Sequence, residues 1–305
     1  MPYALSTTLD ELLAPRSATG RLLLTGWFSF RDGEVTAGDA LAQRAVSAAL
    51  DRLGVRHDTA WSPGFAPREM SLEAAEPSAY EQVLFVCGPL HGDQFTRLHQ
   101  RFSSCRRLAL GVSVIDPGAP AVTGFDRVVA RDSPGGRSLP DLSAVAPLRP
   151  APPVAGIALT YGQGEYGGRR DHDAVAAALT EWVSGKDCAR VAAETRLAVD
   201  DWRLCRTADQ YLALLGALDV VLTDRLHGMV LALRAGTPAL VVDPVRGGAK
   251  VSAQARALRW PAVLPADGVT AAALDRWWDW CLSADGRGAA RRRARLMAVD
   301  AVRDS

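Results

Sequence analysis

A strand-to-helix junction at residues 224–228, Asp-Arg-Leu-His-Gly, places the strongest constraint on how this chain can fold. The residues around it predict a buried strand at 220–222, a short helix at 229–234 and a second buried strand at 237–243. Two strands joined by a helix in this way pair in parallel. We therefore expect Arg225 and His227 at the carboxyl edge of a parallel sheet, where open α/β proteins bind ligands.

The predicted start of this helix suits an anion. The first N–H groups of a helix have no partner within it and carry the positive end of its dipole. Arg225 adds a planar guanidinium that can bind a phosphate or carboxylate in a bidentate manner. His227 adds an imidazole suited to proton transfer near neutral pH. The alternatives are an ion pair of Arg225 with Asp224 or Asp243, and a His227 that caps the helix or is bonded within the core.

Composition restricts the class of protein and its partners. The chain has 305 residues, 48% of them hydrophobic, and a net charge of +1, which indicates a globular protein of two domains and no nucleic-acid partner. No segment approaches the ~20 apolar residues of a membrane span, and the N-terminus lacks signal-peptide features, so we expect a cytoplasmic protein. The five cysteines are dispersed, which predicts reduced thiols and no metal site. Homo-oligomerisation stays open.

Strand and helix signals alternate along both halves of the chain, which indicates parallel sheets covered by helices. A proline-rich stretch at residues 147–153 separates the two series and predicts an interdomain linker. We therefore predict two Rossmann-like α/β domains, residues 1–150 and residues 151–305, that face each other across a central cleft.

Lysine is rare in this chain, because Lys186 and Lys250 are the only two among 35 basic residues. A lysine retained against such a bias indicates a position that needs a compact ammonium group. Lys250 lies one strand and one loop beyond the junction, so we consider it a phosphate-binding residue. The alternative is a solvated lysine at the start of a helix.

Three segments together resemble a known family. They are residues 208–261, with the Arg-Leu-His-Gly core, Gly-Thr-Pro, a strand ending in Asp243 and then Lys250; Thr36-Ala37-Gly38-Asp39, which is similar to an Asn-x-Gly-Asp motif; and Arg131-Asp132-Ser133, which is similar to an Arg-Asp motif. In this order and spacing the chain resembles the polysaccharide pyruvyltransferases. Only the Arg-Leu-His-Gly stretch is specific to them. The chain departs from the family at Thr36 and at residues 88–92, where the family commonly has an asparagine and a run of glycines.

The resemblance implies a GT-B-like fold and a transferase that moves a pyruvyl group from phosphoenolpyruvate to hydroxyls of a glycan or another sugar-containing acceptor, usually as a cyclic ketal. Phosphoenolpyruvate is then the donor substrate, and no separate cofactor is expected. The resemblance also places the acceptor on the first domain and the donor on the second.

The resemblance further implies roles for individual residues. His227 would transfer a proton, and Asp39 would activate an acceptor hydroxyl. The substrate-binding residues would be Arg225, Arg131, Lys250, Gly228 and Arg169. A helix N-cap is the alternative for Asp39, and a salt bridge with Asp132 or Asp126 is the alternative for Arg131.

A glycine pattern at residues 162–167 formally fits a dinucleotide-binding loop. However, Gly168, Arg169 and Arg170 intervene before the next helix, and Glu194 follows Gly167 by 27 positions rather than the ~20 expected. The pattern instead predicts a flexible loop, with Arg169 or Arg170 touching donor or acceptor.

Two further hypotheses remain open: a GT-B glycosyltransferase that uses a nucleotide sugar, and a non-catalytic relative that binds an anionic metabolite. The other histidines add little at this point. His91 and His99 match no metal-ligand spacing, and His172, between two aspartates, is interpreted as part of a helix start.

Overall fold

The structure is a computed structural model that describes residues 5–14, 20–136, 138–161 and 166–303. The chain divides into two compact units, Met1–Arg149 and Pro150–Ser305, and the division falls inside the proline-rich stretch. Each unit contains one five-stranded sheet whose strands are all parallel. The predicted fold class, two Rossmann-like α/β domains, is confirmed.

In the first unit, helices alternate with the strands of the sheet. Its elements are α1 (Leu5–Leu13), β1 (Leu22–Gly26), α2 (Ala37–Arg52), β2 (His57–Thr59), β3 (Gln82–Val86), α3 (Asp93–Arg101), β4 (Arg106–Ser113), α4 (Pro120–Thr123) and β5 (Arg127–Asp132).

The second unit repeats this alternation and ends in two helices. Its elements are β6 (Val154–Ala158), α5 (His172–Ser184), β7 (Ala189–Ala192), α6 (Ala208–Gly216), β8 (Val220–Thr223), α7 (Leu226–Ala235), β9 (Ala239–Asp243), α8 (Lys250–Ala257), β10 (Val263–Pro265), α9 (Ala271–Leu282) and α10 (Ala284–Arg303). The helix predicted at 229–234 thus begins three residues earlier, at Leu226. No described helix is both long and apolar enough to cross a membrane.

Both sheets have the same strand order. The first is β2-β1-β3-β4-β5, and the second is β7-β6-β8-β9-β10, so each follows the pattern 2-1-3-4-5. In this order the chain changes direction across the sheet between strands one and three, and the crevice outside their carboxyl ends is the usual ligand site. That point lies between β1 and β3 in the first unit and between β6 and β8 in the second.

The strands are apolar along their length because both faces of each sheet are covered. In the first unit, Leu22 and Leu24 pack with α1 and α2, whereas Leu23 packs with α3 on the other face. In the second unit, the buried core consists of residues between Ala155 and Ala290. Each unit therefore has its own hydrophobic core.

Candidate active site

The junction predicted from the sequence lies at the crevice between β6 and β8. Ala158, the last residue of β6, is paired with Thr223, the last residue of β8. Arg225 is the N-cap residue of α7, and His227 lies in the first turn of that helix. The prediction that Arg225 and His227 lie at the carboxyl edge of a parallel sheet is confirmed.

Close packing between β8 and α7 holds the junction in place. The Thr223 hydroxyl donates to the carbonyl of Ala158 at 2.7 Å and accepts from the backbone N–H of Arg225 at 2.9 Å. A Cβ on Gly228 would lie 2.3 Å from Thr223 Oγ1, so only glycine fits there without displacement. Gly228 therefore sets the approach of the helix to the strand.

The Arg225 guanidinium is oriented by groups that follow the two neighbouring strands. Nε donates to Thr160 Oγ1 at 3.1 Å, and Nη1 donates to Thr195 Oγ1 at 2.7 Å and to Glu194 Oε1. Nη2 has no hydrogen-bond partner among the described residues, and 22% of the side chain is exposed. The ion-pair partner is thus Glu194; the two partners considered from the sequence, Asp224 and Asp243, were wrong.

Glu194 is charged in this setting. Burial acts to raise the pKa of its carboxyl, but hydrogen bonds from the Arg196 amide and from Arg225 outweigh burial and lower it. Glu194, whose spacing does not fit the dinucleotide-binding pattern, therefore holds the Arg225 guanidinium in position.

Arg225, His227 and Lys250 line one small cavity at the start of α7, which we call the α7 cavity. Its volume is about 160 Å³, and Thr160, His172 and Asp224 are among its other lining residues. No described side chain caps the N-terminus of α7, so its first N–H groups are available to a ligand. An uncapped helix start beside two cations is suited to an anion.

Two buried titratable groups at the α7 cavity have unsatisfied atoms. Asp224 Oδ1 accepts from the Thr160 N–H at 2.8 Å, whereas Asp224 Oδ2 and His172 Nδ1 have no partner in the described part of the chain. Burial raises the pKa of Asp224 to about 6, against the opposing effects of Thr160 and Arg225. Unsatisfied buried polar atoms are uncommon in proteins and often mark a functional site.

Asp243 and Lys250 occupy the next strand-to-helix connection. The buried carboxylate of Asp243 accepts backbone N–H groups from Val245, Ala249 and Ser252 at 3.1, 2.7 and 2.9 Å. Capping is therefore the role of Asp243. Lys250 begins α8, is exposed, and has Nζ 5.9 Å from the centre of the Tyr166 ring.

Asp39 lies in the first unit, close to the start of α2. Thr36 is the N-cap, and Asp39 is the third helical residue of a capping box, so the expected N-cap assignment was wrong by three positions. Asp39 Oδ2 accepts from the backbone N–H and hydroxyl of Thr36 at 3.1 and 2.8 Å. Its Oδ1 accepts from Cys87 Sγ at 3.1 Å, and burial, followed by Asp39, raises the pKa of that thiol.

Arg131 lies at the end of β5 and is held by its own unit. Nε donates to Asp132 at 2.8 Å, Nη1 to Asp141 at 2.5 Å and Nη2 to Ser113 at 2.5 Å. Asp126, the other partner considered, pairs with Arg107. The predicted salt bridge with Asp132 is present, and every nitrogen of the guanidinium donates to a protein group.

Arg169 ends a single helical turn, Gly167–Arg169, on the surface of the second unit. Its carbonyl accepts from the Arg246 N–H at 2.9 Å. Residues 162–165 of the predicted flexible loop lie outside the described residues.

A larger cavity, of about 770 Å³, lies in the first unit beside α3. Trp27, Phe30 and Leu72 supply apolar lining. The charged lining residues are Arg31, Arg97, Arg101, Asp32 and Glu73. Its volume is within the range of small-molecule sites, roughly 300–1,000 Å³. It is a candidate acceptor site.

The segment that departs from the family explains part of this arrangement. Gly88 has φ +70, and a Cβ there would lie 2.1 Å from Trp27 Cδ1. Trp27 Nε1 donates to the carbonyl of Pro89 at 2.9 Å. Residues 88–89 therefore hold the tryptophan against the end of β3.

Comparison with known families bears directly on the α7 cavity. Residues 191–244 match the family model for polysaccharide pyruvyl transferases. The match begins in β7 and extends past β9, so it includes Glu194, Arg225 and His227. The resemblance to this transferase family is confirmed over that segment. No curated protein matches the chain significantly.

Three glycosyltransferases are among the solved structures that match this chain in a structural comparison. The spinosyn forosaminyltransferase SpnP is 12% identical, with 91% of this chain and 94% of that chain covered and a TM-score of 0.33. SnogD from Streptomyces nogalater is 16% identical, with coverages of 91% and 95% and a TM-score of 0.31. The E. coli heptosyltransferase WaaC with ADP is 11% identical, with coverages of 89% and 99% and a TM-score of 0.27.

Sequence reasoning missed three groups at this site: Thr160 and His172 line the α7 cavity, and Glu194 pairs with Arg225. Thr160 and His172 follow the first strand of the second unit, and Glu194 follows the second. A signal was available, because side chains just after parallel strands share one edge of the sheet. The strand order was the missing information.

Proposed function

We propose that this protein is a transferase that moves the pyruvyl group of phosphoenolpyruvate to hydroxyls of a glycan or another sugar-containing acceptor. The observation that carries the proposal is the α7 cavity, where an uncapped helix start, Arg225 and His227 meet within the segment that matches the family. Phosphoenolpyruvate carries a phosphate and a carboxylate, which need several N–H donors and cations in one small site.

The reaction requires an acid, a base and anion-binding groups. Protonation of the methylene carbon, C3, makes C2 electrophilic. One acceptor hydroxyl attacks C2 and loses its proton, phosphate leaves as its C2–O bond breaks, and a second hydroxyl closes the ketal. The two hydroxyls release two protons, of which one replaces the proton given to C3 and the other leaves with phosphate.

The residues of the α7 cavity are suited to the donor half of this reaction. Arg225 and the first N–H groups of α7 bind the phosphate, and Lys250 supplies a second cation for the carboxylate. Glu194 and Thr195 act as positioning residues because they fix the Arg225 guanidinium. His227, exposed on the first turn of α7, gives a proton to C3.

The acceptor is assigned to the first unit. The cavity beside α3 combines an aromatic wall with three arginines and two acidic residues, which suits a hydroxylated ligand that has an apolar part. Two roles stay predictions from the resemblance: Asp39 as the base, and Arg169 as a substrate contact. Arg131 already has three protein partners, so we assign no donor group to it.

Ligand-induced thermal stabilisation tests the donor. A ligand at 100 times its Kd stabilises the folded state by about 2.7 kcal/mol. We expect phosphoenolpyruvate to raise the melting temperature and the uridine and guanosine diphosphates to leave it unchanged. Stabilisation by a nucleoside diphosphate alone would favour a nucleotide-sugar glycosyltransferase instead.

Phosphate release from phosphoenolpyruvate, followed by ³¹P NMR with a pool of glycans, tests the chemistry. We expect His227→Ala to abolish release while the variant unfolds at the wild-type temperature. An active, normally folded His227→Ala protein would contradict the assignment of His227 as the acid.

A further inference from the structure

His172 is a second histidine of the α7 cavity that none of the proposed roles uses. It is the first residue of α5, and only 3% of it is exposed. Its side chain makes no hydrogen bond with a described residue, and its Nδ1 is enclosed without a partner among them. Leaving a buried polar group unpaired costs about 1–3 kcal/mol. A histidine kept in such a position, at the wall of a cavity that Arg225 and His227 also line, is a candidate for chemistry.

His99 provides a comparison, because it is the other buried histidine among the described residues. Its Nδ1 also has no partner, but its Nε2 lies 3.3 Å from the carbonyl of Ala121. Its ring packs between Phe95 and Phe125, with ring centres 6.4 and 4.7 Å away. Aromatic packing in the core accounts for His99. No described aromatic ring packs against His172 in this way.

The surroundings of His172 favour the uncharged imidazole. Burial lowers its pKa, the cations Arg170 and Lys250 lower it further, and Asp173 and Asp243 act in the opposite direction. The Asp243 carboxylate is already engaged by three backbone N–H groups. The α7 cavity also presents Asp224, Arg225 and His227. An imidazole that is neutral before the reaction can accept a proton.

We propose that His172, in place of Asp39, is the general base of the pyruvyl transfer, receiving the proton of the first attacking hydroxyl and passing it to the leaving phosphate. This inference rests on the proposed function. Protonated His227 gives its proton to C3 as the first hydroxyl attacks C2 and His172 takes the hydroxyl proton. The C2–O bond to phosphate then breaks, and His172 returns its proton to the phosphate. The second hydroxyl closes the ketal and its proton restores His227.

The size of the α7 cavity supports the assignment of His227 as the acid and His172 as the base. A volume of about 160 Å³ corresponds to about five water molecules at ~30 Å³ each. A phosphate-bearing ligand that fills so small a space contacts both the rim, where His227 lies, and the buried wall, where His172 lies. Two imidazoles in different environments thus serve as an acid and a base.

The contact is tested by NMR of the intact protein with ¹⁵N-labelled imidazoles, titrated with sulfate, inorganic phosphate and phosphoenolpyruvate. The chain has five histidines, and the His172→Gln and His99→Gln variants assign the two buried ones. We expect the His172 resonances, and not those of His99, to shift with each anion. Sulfate does not titrate in this range, so an upward move of the His172 titration midpoint on sulfate binding reports the anion beside the ring.

The proton-transfer role is tested by the rate of phosphate release from phosphoenolpyruvate, with glycans or water as the acceptor. A general base contributes about 10²–10⁴-fold, so we expect His172→Gln to slow release by at least about 100-fold and to flatten the acid limb of the pH–rate profile. His99→Gln removes a buried histidine with the same unpaired nitrogen and is expected to retain the wild-type rate and pH profile.

The outcomes separate this inference from the proposed function. Phosphoenolpyruvate turnover without a response at His172, or with a fast His172→Gln variant, overturns the inference alone. A His172 response to sulfate with no binding of phosphoenolpyruvate overturns the donor assignment and the inference with it. If His172→Gln fails to fold, the titration of the wild-type protein still decides whether an anion reaches His172.

Discussion

Arg225 and Glu194 form an ion pair across the end of β6, the strand that lies between β7 and β8. The pair joins residues 31 positions apart in the chain. It fixes the guanidinium at the helix start, and it also neutralises part of the positive charge that an anionic donor needs. The pair therefore orients the Arg225 guanidinium but weakens its attraction for an anionic donor.

Replacing Glu194 by glutamine separates these two effects. The amide oxygen keeps a hydrogen bond to Arg225 while the neutralising charge is lost, so we expect phosphoenolpyruvate to bind more tightly. A gain of about 1 kcal/mol corresponds to roughly 5-fold in Kd. Isothermal titration calorimetry measures it. Weaker binding would show that the carboxylate is needed for position. Glu194→Ala, which loses both effects, is the paired variant.

Asp224→Asn is expected to stabilise the ligand-free protein at high pH. The folded pKa of Asp224 is raised to about 6, so its stabilising contribution is complete below the unfolded pKa and is lost as pH rises through 6. A rise of about two units corresponds to roughly 3 kcal/mol as an upper figure. Asparagine does not titrate and avoids this loss.

Calorimetry of wild type and Asp224→Asn between pH 4 and pH 8 measures the effect. The stability difference should move in favour of the variant as pH rises, whereas Asp200→Asn, at an exposed aspartate, should leave the curve unchanged. A pH-independent difference would contradict the raised pKa.

Gly228→Ala is expected to destabilise the second unit. The new methyl group would lie 2.3 Å from Thr223 Oγ1, a hydroxyl with two hydrogen bonds of its own. Overpacking costs about 1–3 kcal/mol, of which alanine's helix propensity returns about 1. Gly216→Ala in α6, where nothing lies within 4 Å, is the control and should leave stability unchanged or raise it. Urea unfolding measures both, and equal stabilities would refute the packing argument.

Asp39→Asn is expected to lower stability by about 1 kcal/mol and to leave phosphate release near the wild-type rate. The carboxylate completes a capping box with Thr36 at the start of α2, and a neutral amide fulfils that role less well. Gln210→Ala, which removes the corresponding residue of the α6 capping box, should cost a similar amount. A 100-fold slower Asp39→Asn enzyme of normal stability would return the base role to Asp39.

Much of the fold follows from local pattern. The apolar run at 220–222, the helix after it and the strand ending in Asp243 were predicted because a parallel strand is apolar throughout and a helix ends at glycine. Arg225 and His227 were placed at the carboxyl edge for the same reason. The start of α7 was harder to predict, because Leu226 and His227 carry no capping signal that separates loop from helix.

The partners of the site residues were not predictable to the same degree. Asp224 and Asp243 were considered for Arg225 because they are near it in sequence, yet Glu194 is the residue that pairs with it. Neighbours at the end of a sheet depend on strand order, which the alternation of strands and helices leaves undetermined. His172 was overlooked for that reason too, since a histidine between two aspartates has an adequate local explanation as a helix start.

The second unit builds its sheet, its core and the α7 cavity from one continuous stretch of chain, beginning at Pro150. A piece with this property can be inherited whole. A gene divided at the proline-rich stretch would keep every described residue that lines the α7 cavity on one side of the division. Under the proposed function, one half of such a gene would carry the donor-binding residues, and the other half could change with the acceptor.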